Sequence, residues 1–63
     1  MIAHFIDAVA GTPVYINPDY VVSLRPDPAD PDTVSILKIS DGETFRVRGS
    51  HTEIAARLTR AAA

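Results

Sequence analysis

The stretch GTPVYINPDYVV, residues 11–22, decides how this chain begins to fold, because it joins two β-rich runs through a proline turn. Residues 13–16 are typical of a strand, and a proline at position 13 favours a strand start or an edge. Asn17 precedes proline and is therefore expected to be extended, with its side chain bonding the backbone two residues on. Asp19 is expected to cap a single helical turn before the second strand.

Two strands flank residues 13–16 in the predicted order. One covers residues 2–8, where the apolar pattern is ambiguous. The other covers residues 20–25, where alternate side chains point to opposite faces. We predict that Tyr20, Val22 and Leu24 form its core face because this set is the more apolar one.

The segment RPDPADPD, residues 25–32, holds three of the five prolines and three aspartates. Prolines cannot donate to a strand ladder and the acids repel one another, so we predict an exposed, stiff loop. Calcium binding is the functional alternative for these acids, but the spacing lacks the central glycine and distal glutamate of an EF-hand loop. We therefore expect no metal here.

Residues 33–40 form the longest predicted strand, and both of its faces carry aliphatic side chains. A strand that is apolar on both faces is normally covered on both. We expect the C-terminal helix to cover one face and a second subunit to cover the other. The two sets are Val34, Ile36 and Lys38 on one face, and Ser35, Leu37 and Ile39 on the other.

The end of the chain predicts a hairpin followed by a helix. Asp41-Gly42 lies between two β-rich runs, which favours a tight turn into a return strand over residues 43–48. Ser50 and Glu53 have the spacing of a capping box at a helix start. Ile54 and Leu58, with Ala55 and either Ala61 or Ala62, continue as an apolar stripe at helical spacing. The predicted fold class is α+β, a small antiparallel sheet of four to five strands with one C-terminal helix (β-β-β-β-α).

The composition limits the function classes. Sixty-three residues without cysteine form one small domain, residues 1–63, that has neither disulfides nor thiolate metal sites. Small domains of this kind often depend on a partner, so we expect a homo-oligomer. The first ten residues lack the basic start of a signal peptide, and no apolar run reaches the roughly 18 residues of a membrane span. We expect a cytoplasmic protein without a membrane span.

The chemistry-bearing residues are sparse. His4 and His51 lie far apart, the serines lack a nucleophile elbow, and the three glycines are too widely spaced for a phosphate-binding loop. Neither the loop aspartates nor those near the hairpin are expected to form a cleft, and a ligand cavity is hard to fit in one monomer. We therefore predict no catalytic, cofactor-binding or metal-binding residues and no enzyme activity. The candidate contact residues are Tyr15, Lys38, Arg46 and Arg48.

Nucleic-acid binding is the alternative to protein contact. Arg46 and Arg48 alternate with Phe45 along one strand, which predicts a basic sheet face with Lys38 nearby. The net charge of −2 and the absence of stacking aromatics beside these arginines argue against it.

The chain resembles the FlbD-like (SwrD-like) family of small bacterial flagellar proteins. AGTPVYINPD, residues 10–19, is similar to that family's N-G-x-x-x-x-(I/L)-N-P-D opening, with Ala10 in place of its asparagine. PDTV, residues 31–34, followed by DGE, residues 41–43, resembles the central hairpin of the family. Its closing pattern is matched by Val47, Ser50, Glu53, Ile54 and Leu58. The resemblance implies a motility-linked protein without catalytic residues.

A weaker likeness concerns the end of the chain alone. The D-G…V-x-G-S…E-I…L pattern of residues 41–58 is similar to the ending of LytTR-type DNA-binding β domains, which are longer than this chain.

Overall fold

The computed structural model describes residues 2–62, with side chains described for residues 2–60. Within residues 2–62, five strands precede one helix in chain order. The strands are β1 (Ala3–Ile6), β2 (Pro13–Ile16), β3 (Val21–Pro26), β4 (Val34–Ile39) and β5 (Thr44–Arg48), a 3-10 turn spans Pro18–Tyr20, and helix α1 spans His51–Ala62. The α+β class and the antiparallel pairing are confirmed.

The strands form two antiparallel sheets rather than the single sheet that we predicted. One contains β1 and β2, and the other has the order β3-β4-β5. The two meet where Asp7 bridges Val47, next to a hydrogen bond of 2.8 Å from the Ala8 N–H to the Arg46 carbonyl. The two sheets stay separate because β1 itself pairs with β2, whereas the bridge to β5 is made by Asp7, the residue that follows β1.

The Asn17-Pro18-Asp19 turn forms as expected in its first half. Asn17 is extended, and its Oδ1 accepts from the Asp19 N–H at 3.0 Å. The predicted cap is wrong, however, because Asn17 and not Asp19 is the residue that precedes and caps the 3-10 turn. Proline at the first position of the turn explains the shift, since its fixed φ and missing N–H suit a helical start.

The predicted core face of β3 is correct at Leu24 but wrong at Tyr20 and Val22. Tyr20 and Val22 are 59% and 64% exposed, whereas Val21 and Leu24 pack against the core. The register between β3 and β4 shifts between Val21 and Ser23, so Val22 is the extra residue of a β-bulge. A bulge breaks the strict alternation of side chains along a strand. For this reason Val21 and Leu24 both face the core, although they are three positions apart.

The core lies between the sheets and α1. Its fully enclosed side chains come from four strands and the helix, namely Ala3, Phe5, Ile16, Leu37, Val47 and Ile54. Leu58 is partly buried against the same cluster, while Ala55 is exposed. The predicted continuation of the stripe to Ala61 or Ala62 lies outside the described side chains.

Helix α1 starts as predicted, but with half of the capping box. The Ser50 hydroxyl accepts from the Glu53 N–H at 3.2 Å. The Glu53 carboxylate lies against Arg57 instead of returning to Ser50, with an Oε2–Nη2 distance of 3.4 Å. Gly49 precedes the cap with φ of +125°, and a Cβ there would lie 2.9 Å from Ile54 Cδ1. The helix start therefore depends on a glycine as well as on the serine.

The Asp41-Gly42 hairpin is confirmed. Gly42 has φ of +92°, its N–H bonds the Ile39 carbonyl at 2.9 Å, and Lys38 pairs with Thr44 on the return strand. Asp41 Oδ1 accepts from the Glu43 N–H at 2.8 Å, so Glu43 belongs to the turn and β5 begins at Thr44.

Residues 2–62 include no helix with the length and apolar character that crossing a membrane requires.

Candidate interaction surfaces

The face of β3-β4-β5 turned away from the core carries most of the basic residues, and we call it the outer face. Directly opposed residues of an antiparallel pair share a face. The register therefore aligns Arg25, Ile36 and Arg46 in one row across the three strands. The neighbouring rows are Ser23, Lys38 and Thr44 on one side, and Val34 with Arg48 on the other. Four of the six Lys and Arg residues of the chain thus share the outer face.

An ion pair crosses this face from one edge strand to the other. Arg46 on β5 holds Asp27, the residue after β3, although β4 lies between the two strands. Both Nη2 and Nε of Arg46 approach the same carboxylate oxygen, Oδ2, at 2.5 and 2.8 Å. The Asp27 side chain is 6% exposed and the Arg46 side chain 50%. The carboxylate of the pair is therefore buried, whereas the arginine side chain is in contact with solvent.

Asp27 also organises the proline-rich loop. Its Oδ1 accepts from the Ala29 N–H at 2.9 Å, and its own N–H donates to the Val34 carbonyl at 3.0 Å. The hydrogen bond from Ala29, followed by that from Arg46, holds the pKa of the Asp27 carboxyl below its usual 3.8 against the opposing effect of burial. The expectation of a wholly exposed loop is wrong at this residue, since the Ala29 N–H and the Arg46 guanidinium compensate for the burial of its carboxylate.

The ion pair between Arg46 and Asp27 affects how the second face of β4 is covered. Val34 and Ile36 are half-buried on the outer face without any second chain. The Arg46 side chain has to pass over β4 to reach Asp27, and arginine stems cover apolar surface while their charged ends stay in water. The chain itself therefore provides part of the cover that we had expected from a second subunit.

A second aspartate, Asp7 in the β1–β2 connection, lies near the same arginines. Asp7 Oδ1 accepts from the N–H groups of Ala10 and Val9, each at 2.8 Å. These bonds, with a smaller contribution from the positive charges of Arg46 and Arg48, hold the pKa of the Asp7 carboxyl below its usual value. The turn is thereby fixed next to β5, and a Cβ on Gly11 would lie 3.5 Å from Arg48 Nη2.

The other outer-face cations have no ionic partner of this kind. Within the described side chains, residues 2–60, neither Arg25, Lys38 nor Arg48 is part of an ion pair. All three are exposed. The predicted contact residues Lys38, Arg46 and Arg48 therefore share one face, but Arg46 differs from the other two because its charge is already matched.

Tyr15, the fourth predicted contact residue, lies on the smaller sheet. It is 68% exposed and stacks on His4, its partner across β1 and β2, with ring centroids 5.0 Å apart and planes at 26°. Its neighbour Ile16 is buried, which confirms that Tyr15 points away from the core. The stack is a preformed aromatic platform that is open to solvent.

Tyr20 and Val22 form an exposed apolar patch at the start of β3, and we call it the edge patch. They are 59% and 64% exposed. β3 is an edge strand, and so is β2. Two prolines, Pro26 at the end of β3 and Pro13 at the start of β2, lack the N–H that a further strand would need. A partner is therefore expected to contact the edge patch through side chains rather than by adding a hydrogen-bonded strand to β3.

An open groove of about 500 Å³ lies between the proline-rich loop and the start of α1. Asp30 and Asp32 line it from the loop, Arg48 from β5, and Ser50 and Glu53 from the helix start. The loop aspartates, for which we expected no cleft, thus line an open groove at the surface. The groove is lined by carboxylates, one guanidinium and a hydroxyl, and neither His4 nor His51 is among its lining residues.

Among the described residues, no group of three or more histidine, aspartate or glutamate side chains is placed to hold a metal ion. His4 stacks on Tyr15, and His51 is exposed in the first turn of α1.

Sequence reasoning missed two features of these surfaces, Asp27 and the edge patch. The motif Asp27-Pro28-Ala29 is a turn signal of the same type as Asn17-Pro18-Asp19, so the bond from Asp27 to Ala29 could have been predicted. The bulge at Val22 has no comparable local signal, because it depends on which residues of β4 are paired.

Comparison of the chain with models of known protein families, with curated proteins and with solved structures gave no match. The resemblance to the FlbD-like family therefore stays a prediction.

Proposed function

We propose that this chain is a small non-enzymatic protein that acts through protein–protein contact, in the first place with a second copy of itself. The observation that carries the proposal is the edge patch. Tyr20 and Val22 expose more than half of their surface, at 59% and 64%, although both belong to a stretch that otherwise contributes to the core.

The size of the chain supports an association role. Six apolar side chains within residues 2–60 form the buried core, and the 63 residues of the sequence contain no cysteine for a disulfide. Domains this small bury only about 60% of their unfolded surface and are commonly stabilised by a partner. Tyrosine in particular is enriched at interface centres, where its ring is buried and its hydroxyl finds a partner.

A symmetric dimer is the simplest assembly that buries such a patch, because the same surface is then used on both subunits. Sedimentation velocity over a range of micromolar concentrations tests this directly. We expect a species heavier than the monomer for the wild type, and a monomer for the double variant Tyr20→Ser, Val22→Ser.

Val9 provides the matched control. It is 76% exposed but lies in the connection after β1, away from the edge patch in sequence. Val9→Ser is the same substitution as Val22→Ser at another exposed valine, and it should leave the assembly intact. A wild type that stays monomeric throughout the range while melting cooperatively would contradict self-association. Equal weakening by Val9→Ser would contradict the choice of surface.

The resemblance to the FlbD-like family supports a link to motility as a second part of this proposal. Deleting the gene in its host and measuring swimming in soft agar tests it. Reduced swimming that the wild-type gene restores, but the Tyr20→Ser, Val22→Ser variant does not, is the expected result. Unchanged swimming after the deletion would contradict the motility link without bearing on self-association.

A further inference from the structure

We propose that the outer face binds single-stranded nucleic acid. This goes beyond self-association and rests on separate residues, the cations of β3, β4 and β5 together with the Tyr15–His4 stack. The chain has a net charge of −2, but its cations and its anions are not mixed evenly over the surface.

The outer face of the three-stranded sheet is locally basic. Its strands contribute Arg25, Lys38, Arg46 and Arg48, and Asp27 is the acid that follows β3 onto this face. The other acids lie in connections between the strands or on the helix, namely Asp7, Asp19, Asp30, Asp32, Asp41, Glu43 and Glu53. Of these, Asp7 lies near Arg46 and Arg48, so four cations stand against two nearby carboxylates, Asp27 and Asp7. A polyanion that approaches the sheet therefore meets an excess of positive charge in spite of the negative total.

The spacing of these cations suits an extended chain of phosphates. Arg46 and Arg48 lie two residues apart on one strand, which is about 7 Å, and Arg25 lies two strands from Arg46 in the same row, about 10 Å away. Between them Val34 and Ile36 are half-buried and provide apolar surface beside the charges. The phosphate contacts would position the strand without reading its sequence.

The Tyr15–His4 stack provides the exposed aromatic rings that single-strand binding requires. Binders of single strands combine a positive surface with exposed rings on which bases stack. β1 lies beside β5 at the Asp7–Val47 bridge, so the side of β1 and β2 that carries His4 and Tyr15 continues the surface turned away from the core. A sheet face of this kind cannot enter the major groove of a duplex, which admits a helix or a two-stranded ribbon. The expected ligand is therefore a single strand.

Fluorescence anisotropy of a short labelled oligothymidine, titrated at low and moderate salt, tests the proposal. Three cations without ion pairs predict a slope of log affinity against log salt of about −2, since each neutralised phosphate contributes about −0.7. Replacing Arg25, Lys38 or Arg48 by glutamine should each reduce the slope by about 0.7. Asp27→Asn should steepen it by about the same amount because the Arg46 charge is released from its partner.

Two pairs of variants serve as controls. Arg57→Gln and Arg60→Gln remove the same charge from α1 and should leave the slope unchanged. Tyr15→Ala should weaken binding about fivefold or more, while Tyr15→Phe keeps the ring and should not. Circular dichroism of each variant confirms that it is folded. Since Tyr15 and the cations are exposed, these substitutions are expected to leave the fold intact.

The possible outcomes are distinct. Salt-dependent binding that is lost with the outer-face variants and retained with the helix variants supports the proposal. Absence of binding at low salt, equal losses from the helix variants, or tighter binding to a duplex of the same length would each overturn it. None of these results depends on the oligomeric state, so failure here leaves the self-association proposal standing.

Discussion

Arg46 reaches over β4 to hold Asp27, with its Nη2 2.5 Å and its Nε 2.8 Å from the carboxylate oxygen Oδ2. This contact connects the last strand of the sheet to the residue that follows β3, 19 positions earlier in the chain. It fixes one end of the proline-rich loop and covers the apolar middle of β4. The outer face therefore combines a structural ion pair with neighbouring cations that are available for contact.

The Asp27 carboxylate should make the stability of the protein depend on acid pH. Its folded pKa lies below 3.8, so the folded state favours the ionised form. The resulting stabilisation is fully present above the unfolded pKa, near 4, and is lost as pH falls through the folded value. Asp27→Asn should therefore lower the melting temperature at neutral pH and flatten its fall below pH ~4.

Asp32→Asn is the matched control for this experiment. It removes the same charge from the same loop, at an exposed residue whose side chain takes part in no hydrogen bond among the described residues. Thermal melts followed by circular dichroism across acid and neutral pH check both variants. Identical pH profiles for Asp27→Asn and the wild type would refute the role of the ion pair.

Ile54 is predicted to be the most sensitive position of the helix. It is fully buried in the core cluster, whereas Leu58 is only partly buried. Ile54→Ala should cost roughly 2–5 kcal/mol, which is comparable with the total stability of a domain of this size. Leu58→Ala should cost less, because part of its side chain is already in contact with water. Urea unfolding measures the loss of stability in each variant. If Ile54→Ala does not fold, Ile54→Val, which should lose about 1 kcal/mol, can be compared with Leu58→Ala instead.

Gly49 should tolerate no side chain. Its φ is +125° and a Cβ would approach Ile54 Cδ1 to 2.9 Å. Gly49→Ala combines backbone strain of about 1–3 kcal/mol with a displaced core residue. Gly42 offers a comparison, since its φ of +92° is also positive but a Cβ there would meet nothing within 4 Å. Denaturant melts should place Gly49→Ala below Gly42→Ala in stability, and the reverse order would show that Ile54 moves aside at little cost.

Ser35 should contribute through a buried hydrogen bond between β4 and the start of the helix. Its side chain is fully buried, and its hydroxyl donates to the Gly49 carbonyl at 2.8 Å. Ser35→Ala leaves that carbonyl without this donor and should destabilise the protein by about 1 kcal/mol. Ser40→Ala, at an exposed residue in the hairpin turn, should have almost no effect in the same urea melt. Equal stability of the two variants would contradict the assigned bond.

Much of the local structure was predictable from the sequence because its causes are local. The Asx bond of Asn17, the positive φ of Gly42 in the hairpin and the Ser50 cap each involve residues at most three positions apart. The alternation of β5 was also predictable, because Phe45 and Val47 face inward while Arg46 and Arg48 face outward along an unbroken strand. Of the predicted contact residues, Lys38, Arg46 and Arg48 could be assigned to one face for the same reason.

The tertiary structure alone decided the features that depend on distant partners. The bulge at Val22 exposes Tyr20 and Val22 because of how β3 registers against β4, and a one-residue shift in pairing exchanges the two faces of a strand. The burial of Asp27 depends on Arg46, a residue from a different strand. The division into two sheets depends on β1 pairing with β2, while only Asp7 bridges to β5. The sequence thus determined the elements and their turns through short-range bonds, whereas long-range pairing decided which side chains are left for partners.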